Sequence, residues 1–219
     1  MKQIEKGSLA GQILRVDLGT GKTRTERTLK YARDYLGGRA INSLILFNEM
    51  DPRKDWHDPE NLLIFGVGAL VGTMAPGACR TSIETKNVFS HGKGSANVGG
   101  HFGPEMKYAG FDHLVIKGKS NKPVYLWIKG GNAELREASH LWGKTTFETE
   151  EALEKENAPH RIRVACIGPA GENGVRGSGV VCDRSKVAGG SGVGCVMGDK
   201  RLKAVVACGE GGTIGVARP

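Results

Sequence analysis

Two glycine-rich segments, 94–103 (GSANVGGHFG) and 186–194 (KVAGGSGVG), constrain this chain more than any other feature. Residues without a Cβ serve turns and close backbone approach, and they weaken helix and strand interiors. Each segment contains a Gly-Gly pair followed by a helix-like stretch and then an apolar run. Gly99-Gly100 leads to 112–118 (DHLVIKG), and Gly189-Gly190 leads to 203–209 (KAVVACG). The two copies lie about 90 residues apart, and similar apolar runs, 63–68 (LIFGVG) and 164–169 (VACIGP), precede them. The chain therefore reads as one duplicated domain over 1–219, with two pseudo-repeats, roughly 1–130 and 131–210. Each repeat presents one glycine loop at a helix start. Glycine makes up 34 of 219 residues, about twice the usual ~7%. It follows no collagen period and forms no low-complexity block.

The remaining pattern predicts an α+β fold of mixed sheets with a few helices. Alternation over 11–18, a Gly-Thr-Gly turn and a return over 23–28 predict a hairpin. A short helix, a break at Gly37-Gly38 and a longer helix over 40–49 follow, ended by Asp51-Pro52. Strands are expected at 62–68, 80–89, 112–117, 163–167, 178–182 and 204–208. A hairpin is expected over 124–129 and 133–137, closed by Gly130-Gly131-Asn132. Residues 104–108 and 145–156 suit helices, whereas 52–60 and the Gly-, Ser- and Asn-dense stretch 90–103 read as loops.

Thirty-one Lys and Arg against 23 Asp and Glu give a formal charge of +8, which favours anionic partners. The basic residues are spread out and not interleaved with aromatics, which argues against nucleic acid. No run of 18 apolar residues occurs, so no membrane span is expected. Residues 1–6 (MKQIEK) lack the apolar stretch of a secretory leader. Five widely spaced cysteines (79, 166, 182, 195 and 208) include no CxxC pair. They therefore read as buried thiols in a reducing cytoplasm, not as a zinc site or an iron–sulfur cluster. The six histidines do not cluster. His91 and His101 flank the first loop without an acidic third ligand. Glu105, Glu172 and Asp183 read as caps or surface charges. Both glycine segments could form nests of backbone N–H groups for an anion, and Arg80, opening a strand, could hold a phosphate. Neither segment is a GxxxxGK[ST] loop.

Several motifs resemble the N-terminal domain of the tungsten-containing aldehyde ferredoxin oxidoreductase family. They are 35–39 (YLGGR), 61–72 (NLLIFGVGALVG), 104–112 (PEMKYAGFD), 138–143 (ASHLWG), 167–173 (IGPAGEN) and 192–200 (GVGCVMGDK). The resemblance implies a base domain under a tungsten (or molybdenum) bis-pterin, whose phosphates are bridged by Mg²⁺. On that resemblance the cofactor-binding residues are Arg80, Asn97, Gly99, Gly100, Lys186, Val187, Ala188 and Gly189. Backbone carbonyls of Asn97 and Val187 would face the Mg²⁺. Lys186 stands where the family has arginine, and Gly190 where it often has a second one. The implied enzyme interconverts aldehydes and carboxylic acids and passes electrons through a 4Fe-4S cluster to ferredoxin or an iron–sulfur electron-transfer subunit. That cluster, the substrate pocket and the catalytic residues belong to later helical domains of the family, so no catalytic residue is expected in this chain and it should not turn over substrate alone. Residues 216–219 resemble the segment leading into the next domain. The residues by themselves also admit a stand-alone pterin or phosphate carrier, or a structural subunit without catalysis.

Overall fold

The computed structural model describes residues 7–215. The readings of 1–6 and 216–219 therefore lie outside the described residues. Twelve strands form two six-stranded sheets among these residues. The first sheet has the order β2-β1-β6-β3-β4-β5, from β1 (Gln12–Asp17), β2 (Thr23–Arg27), β3 (Leu63–Val67), β4 (Thr81–Lys86), β5 (Lys93–Val98) and β6 (His113–Lys117). The second has the order β8-β7-β12-β9-β10-β11, from β7 (Val124–Lys129), β8 (Asn132–Glu137), β9 (Arg163–Cys166), β10 (Val180–Cys182), β11 (Lys186–Ala188) and β12 (Leu202–Cys208). Position by position the orders are the same. Each sheet has one parallel pair, β1–β6 in the first and β7–β12 in the second, and its other pairs are antiparallel. The helices repeat too. After α1 (Leu29–Tyr35), α2 (Arg39–Glu49) precedes β3 as α4 (Thr146–Glu156) precedes β9. Likewise α3 (Phe102–Tyr108) precedes β6 as α6 (Val193–Asp199) precedes β12. A short α5 (Pro169–Glu172) follows β9.

The continuous apolar runs are explained by cover on both faces. Leu63, Phe65, Leu114, Ile116, Val205 and Ala207 fill a core between the sheets. The alternate residues Ile64 and Val115 pack with Ile41 and Ile45 of α2. On the far side Val164 and Val206 pack with Leu153 of α4. The order of layers is thus helix, sheet, central core, sheet, helix.

Two local expectations change. Residues 93–98 are strand β5 and not loop, pairing with β4 from Lys86↔Lys93 to Thr81↔Val98. Gly94 has no side chain because Ser191 approaches there: a Cβ would lie 2.8 Å from that of Ser191. β11 is a three-residue edge strand, too short for a period to show. Cys166, Cys182, Cys195 and Cys208 are buried free thiols, as read, and Cys79 is half-buried. Burial raises the Cys166 thiol to about 12.

Candidate functional site

β5 and β11 are each an outer strand of their sheet, and the two glycine segments leave from their ends. Asn97 pairs with Ser82 and Val98 with Thr81. In the second sheet Val187 pairs with Val181 and Ala188 with Val180. Asn97 and Val187 therefore occupy matching positions, one residue from the end of an edge strand. Edge strands leave backbone groups on one side without ladder partners. The Asn97 side chain is used locally, its Nδ2 donating to Ser82 Oγ at 3.1 Å.

The two segments run side by side. Ser95 N donates to Ser191 Oγ at 3.0 Å, that hydroxyl donates to Ser95 O at 3.3 Å, and Val88 N donates to Ser191 O at 3.3 Å. The Asp183 carboxylate accepts the His101 amide across the seam. Gly100, at φ +102°, faces the same carboxylate, and a Cβ there would stand 3.3 Å from Lys186 Cγ. On the other side of the turn, a Cβ on Gly99 would lie 3.9 Å from Arg80 Nε and 3.7 Å from Cys79 Sγ. The structure thus brings Arg80, Gly99, Gly100 and Lys186 to one turn. Val187 and Gly189 continue the exposed edge, and Ala188 is buried behind it. At Gly189 a Cβ would meet only Val187 Cγ1, at 3.9 Å, so the space beside this backbone is open.

The Arg80 and Lys186 side chains are exposed and take part in no hydrogen bond or ion pair among the described residues. Two unpaired cations, one from each half, flank a glycine turn, and this donor set fits a phosphate-bearing group. The negative charge nearby is already engaged. Asp183 holds the His101 amide and lies 3.8 Å from Arg163 Nε, although its Oδ1 is buried without a hydrogen bond among the described residues. Glu84 is buried behind β5, held by Asn42 Nδ2 and by Ser95 Oγ at 2.8 Å. Burial raises its pKa against those bonds.

Asp183 does cap a backbone amide, and so do Glu105 and Glu172, which accept from Gly209 N and Gly143 N at 2.8 Å. Its place in the seam was hidden because the turn after β10 carries no glycine. Asp183 and Arg184 themselves adopt φ +47° and +61°. Ser191 was also missed, a serine within a glycine run giving no signal of its own. His91 lies 3.6 Å from Asp55 and is not part of the seam.

Matching sheets that bring two glycine segments to a shared edge define a class: a duplicated two-sheet α+β domain with its open backbone at the seam of the halves. The family model described as "Aldehyde ferredoxin oxidoreductase, N-terminal domain" matches residues 13–209, and the chain belongs to that family. It is 45% identical over 196 residues to a tungsten-containing aldehyde ferredoxin oxidoreductase of Thermococcus kodakarensis, covering 89% of this chain and 32% of that protein. It is 35% identical to the WOR-like subunit of an aliphatic sulfonate oxidoreductase of Pyrococcus furiosus, over 92% of this chain and 34% of the relative. Among solved structures, the active-site complex BamBC of benzoyl coenzyme A reductase, bound to 1,5-dienoyl-CoA, superposes with a TM-score of 0.90 at 42% identity. That match covers 96% of this chain and 32% of the other. The chain spans about a third of the length of these relatives. Among the described residues no helix is long and apolar enough to cross a membrane.

Proposed function

We propose that this chain is the base on which a tungsten bis-pterin is held in an aldehyde:ferredoxin oxidoreductase-like enzyme. The observation that carries the reading is the pair of unpaired cations, Arg80 and Lys186, on either side of the Gly99–Gly100 turn. Arg80 supplies a planar fork to a phosphate and Lys186 a point charge. Gly99 and Gly189 keep the backbone bare where the ligand lies against it. Asn97 and Val187, in matching positions on the edge strands, would offer backbone carbonyls to a Mg²⁺ that offsets the phosphate charge. Ala188 supports that edge from behind. When bound, the tungstopterin supplies the two-electron redox chemistry. This chain's residues bind and orient it and leave proton transfer and substrate recognition to the rest of the enzyme. The names of the relatives support an oxidoreductase over a carrier or an empty structural subunit.

In this reading the intact protein is cytoplasmic and converts an aldehyde to a carboxylic acid, or the reverse. Electrons pass through a 4Fe-4S cluster in its other domains to ferredoxin or an iron–sulfur subunit. The test is the tungsten content of the full-length enzyme carrying Arg80→Ala. Loss of one charge-assisted bond, worth roughly 1.5–3 kcal/mol, should leave the enzyme folded and metal-poor. Full tungsten occupancy in that variant would refute the role of Arg80.

A further inference from the structure

The repeat supplies an internal comparison at another corner of the molecule. In the first sheet Asp17 of β1 pairs with Lys117 of β6, and the Lys117 ammonium lies 3.8 Å from Asp17 and 3.9 Å from Glu60. At the matching corner of the second sheet Lys129 of β7 pairs with Cys208 of β12. His160 stands three residues before β9, as Glu60 stands three before β3. The first corner is an exposed ion-pair cluster. The second gathers an imidazole, a thiol and a carboxylate: ligand atoms of His160, Cys208 and Glu210 all lie within 4.8 Å of one another. His160 Nδ1 is 2.8 Å from Glu210 Oε2. A cation already sits there, the Lys129 ammonium, 3.1 Å from His160 Nδ1 and 3.4 Å from Glu210 Oε2. The other Glu210 oxygen accepts the Arg161 amide at 2.7 Å.

We propose that the His160–Cys208–Glu210 corner binds one zinc-class divalent ion, with Lys129 as the competing cation. Nitrogen, sulfur and oxygen donors together suit zinc, whereas Mg²⁺ and Ca²⁺ take oxygen ligands. Bonds of about 2.0–2.3 Å put tetrahedral ligands roughly 3.3–3.7 Å apart. The His160 and Glu210 side chains, 41% and 39% exposed, are free to close that difference. Lys129 has a flexible stem, so its ammonium can move into water. As the metal–sulfur bond forms, the Cys208 thiol proton leaves to solvent.

The test is titration of the metal-free 219-residue chain with Co²⁺, the spectroscopic stand-in for Zn²⁺. One equivalent should produce tetrahedral visible bands and a thiolate-to-cobalt charge-transfer band, and one equivalent of Zn²⁺ should remove both. Cys208→Ser should abolish the charge-transfer band. His160→Ala and Glu210→Ala change exposed side chains and leave the core intact, and each should weaken Co²⁺ binding at least tenfold. Lys129→Ala should tighten it. Absence of the charge-transfer band in the unmodified chain would overturn the proposal. So would a band indifferent to His160→Ala and Glu210→Ala, which would place the cobalt on another thiol such as Cys79.

Discussion

Gly99 and Gly100 are neighbours with opposite consequences. A Cβ at Gly99 makes only ordinary contacts, with Cys79 and Arg80, so Gly99→Ala should fold normally and lose affinity for a phosphate-bearing ligand. Gly100 has φ +102° and faces the Asp183 carboxylate. Gly100→Ala should therefore cost about 1–3 kcal/mol of stability, read from the urea midpoint. His113 makes a pH prediction. Burial, and secondarily the nearby Lys107 ammonium, lower its pKa to about 3. Nδ1 contacts Asn42 Oδ1 at 2.7 Å, and Nε2 is buried without a partner among the described residues. The unfolded chain takes up a proton near pH 6.5 that the folded chain refuses. This contribution is therefore fully present above pH 6.5 and lost as pH falls toward 3, by at most about 1.4 kcal/mol per pH unit. His113→Gln should flatten that slope between pH 6 and about 4. An unchanged slope would assign the acid sensitivity to other groups. At this scale the sequence revealed residues whose type is rare in context, such as a lone arginine opening a strand. It concealed buried lysines, because lysine reads as surface. Lys107 is buried and donates to the Gly68 and Ala69 carbonyls at 3.0 and 2.8 Å, and Lys200 is buried and donates to Gly118 O at 3.0 Å.

Elements with strong apolar character were legible because both sheet faces are covered, so β3, β6 and β12 read as unbroken runs. β5 was not, since Lys93, Gly94, Ser95 and Asn97 have low strand preference and the strand exists through pairing with β4. β11 and α5, of three and four residues, are shorter than any period. The glycine segments were legible as special, but their meeting at one seam depends on long-range packing that local sequence does not encode. Helix α4 has the clearest local signal. Thr145 Oγ1 accepts the Glu148 amide at 3.3 Å, and Glu148 Oε2 accepts the Thr145 amide at 2.8 Å, a closed capping box. Thr145→Ala should lower stability by about 1 kcal/mol. Thermal unfolding measures it, and a change below about 0.3 kcal/mol would mean that α4 is held by Leu153 and its core neighbours alone.

For the molecule as a whole, the duplication leaves apolar surface outside the seam of its two halves. Met74, Leu36 and Leu70 are 99%, 74% and 61% exposed, and Leu70 and Met74 line a cavity with Tyr108 and Ile214. In relatives about three times as long, such a surface is one that further chain can cover. The 219-residue chain should therefore self-associate in light scattering as concentration rises, and Leu70→Glu with Met74→Glu should suppress this. A strict monomer at high concentration would contradict it. If the two halves grip one anionic group at the seam as proposed, calorimetric titration with pyrophosphate in the presence of Mg²⁺ will detect it. The expected result is one site per chain, at least tenfold weaker binding for Arg80→Ala and for Lys186→Ala, and a double variant losing less than the product of the two single losses. Equal binding by the unmodified chain and the double variant would contradict it.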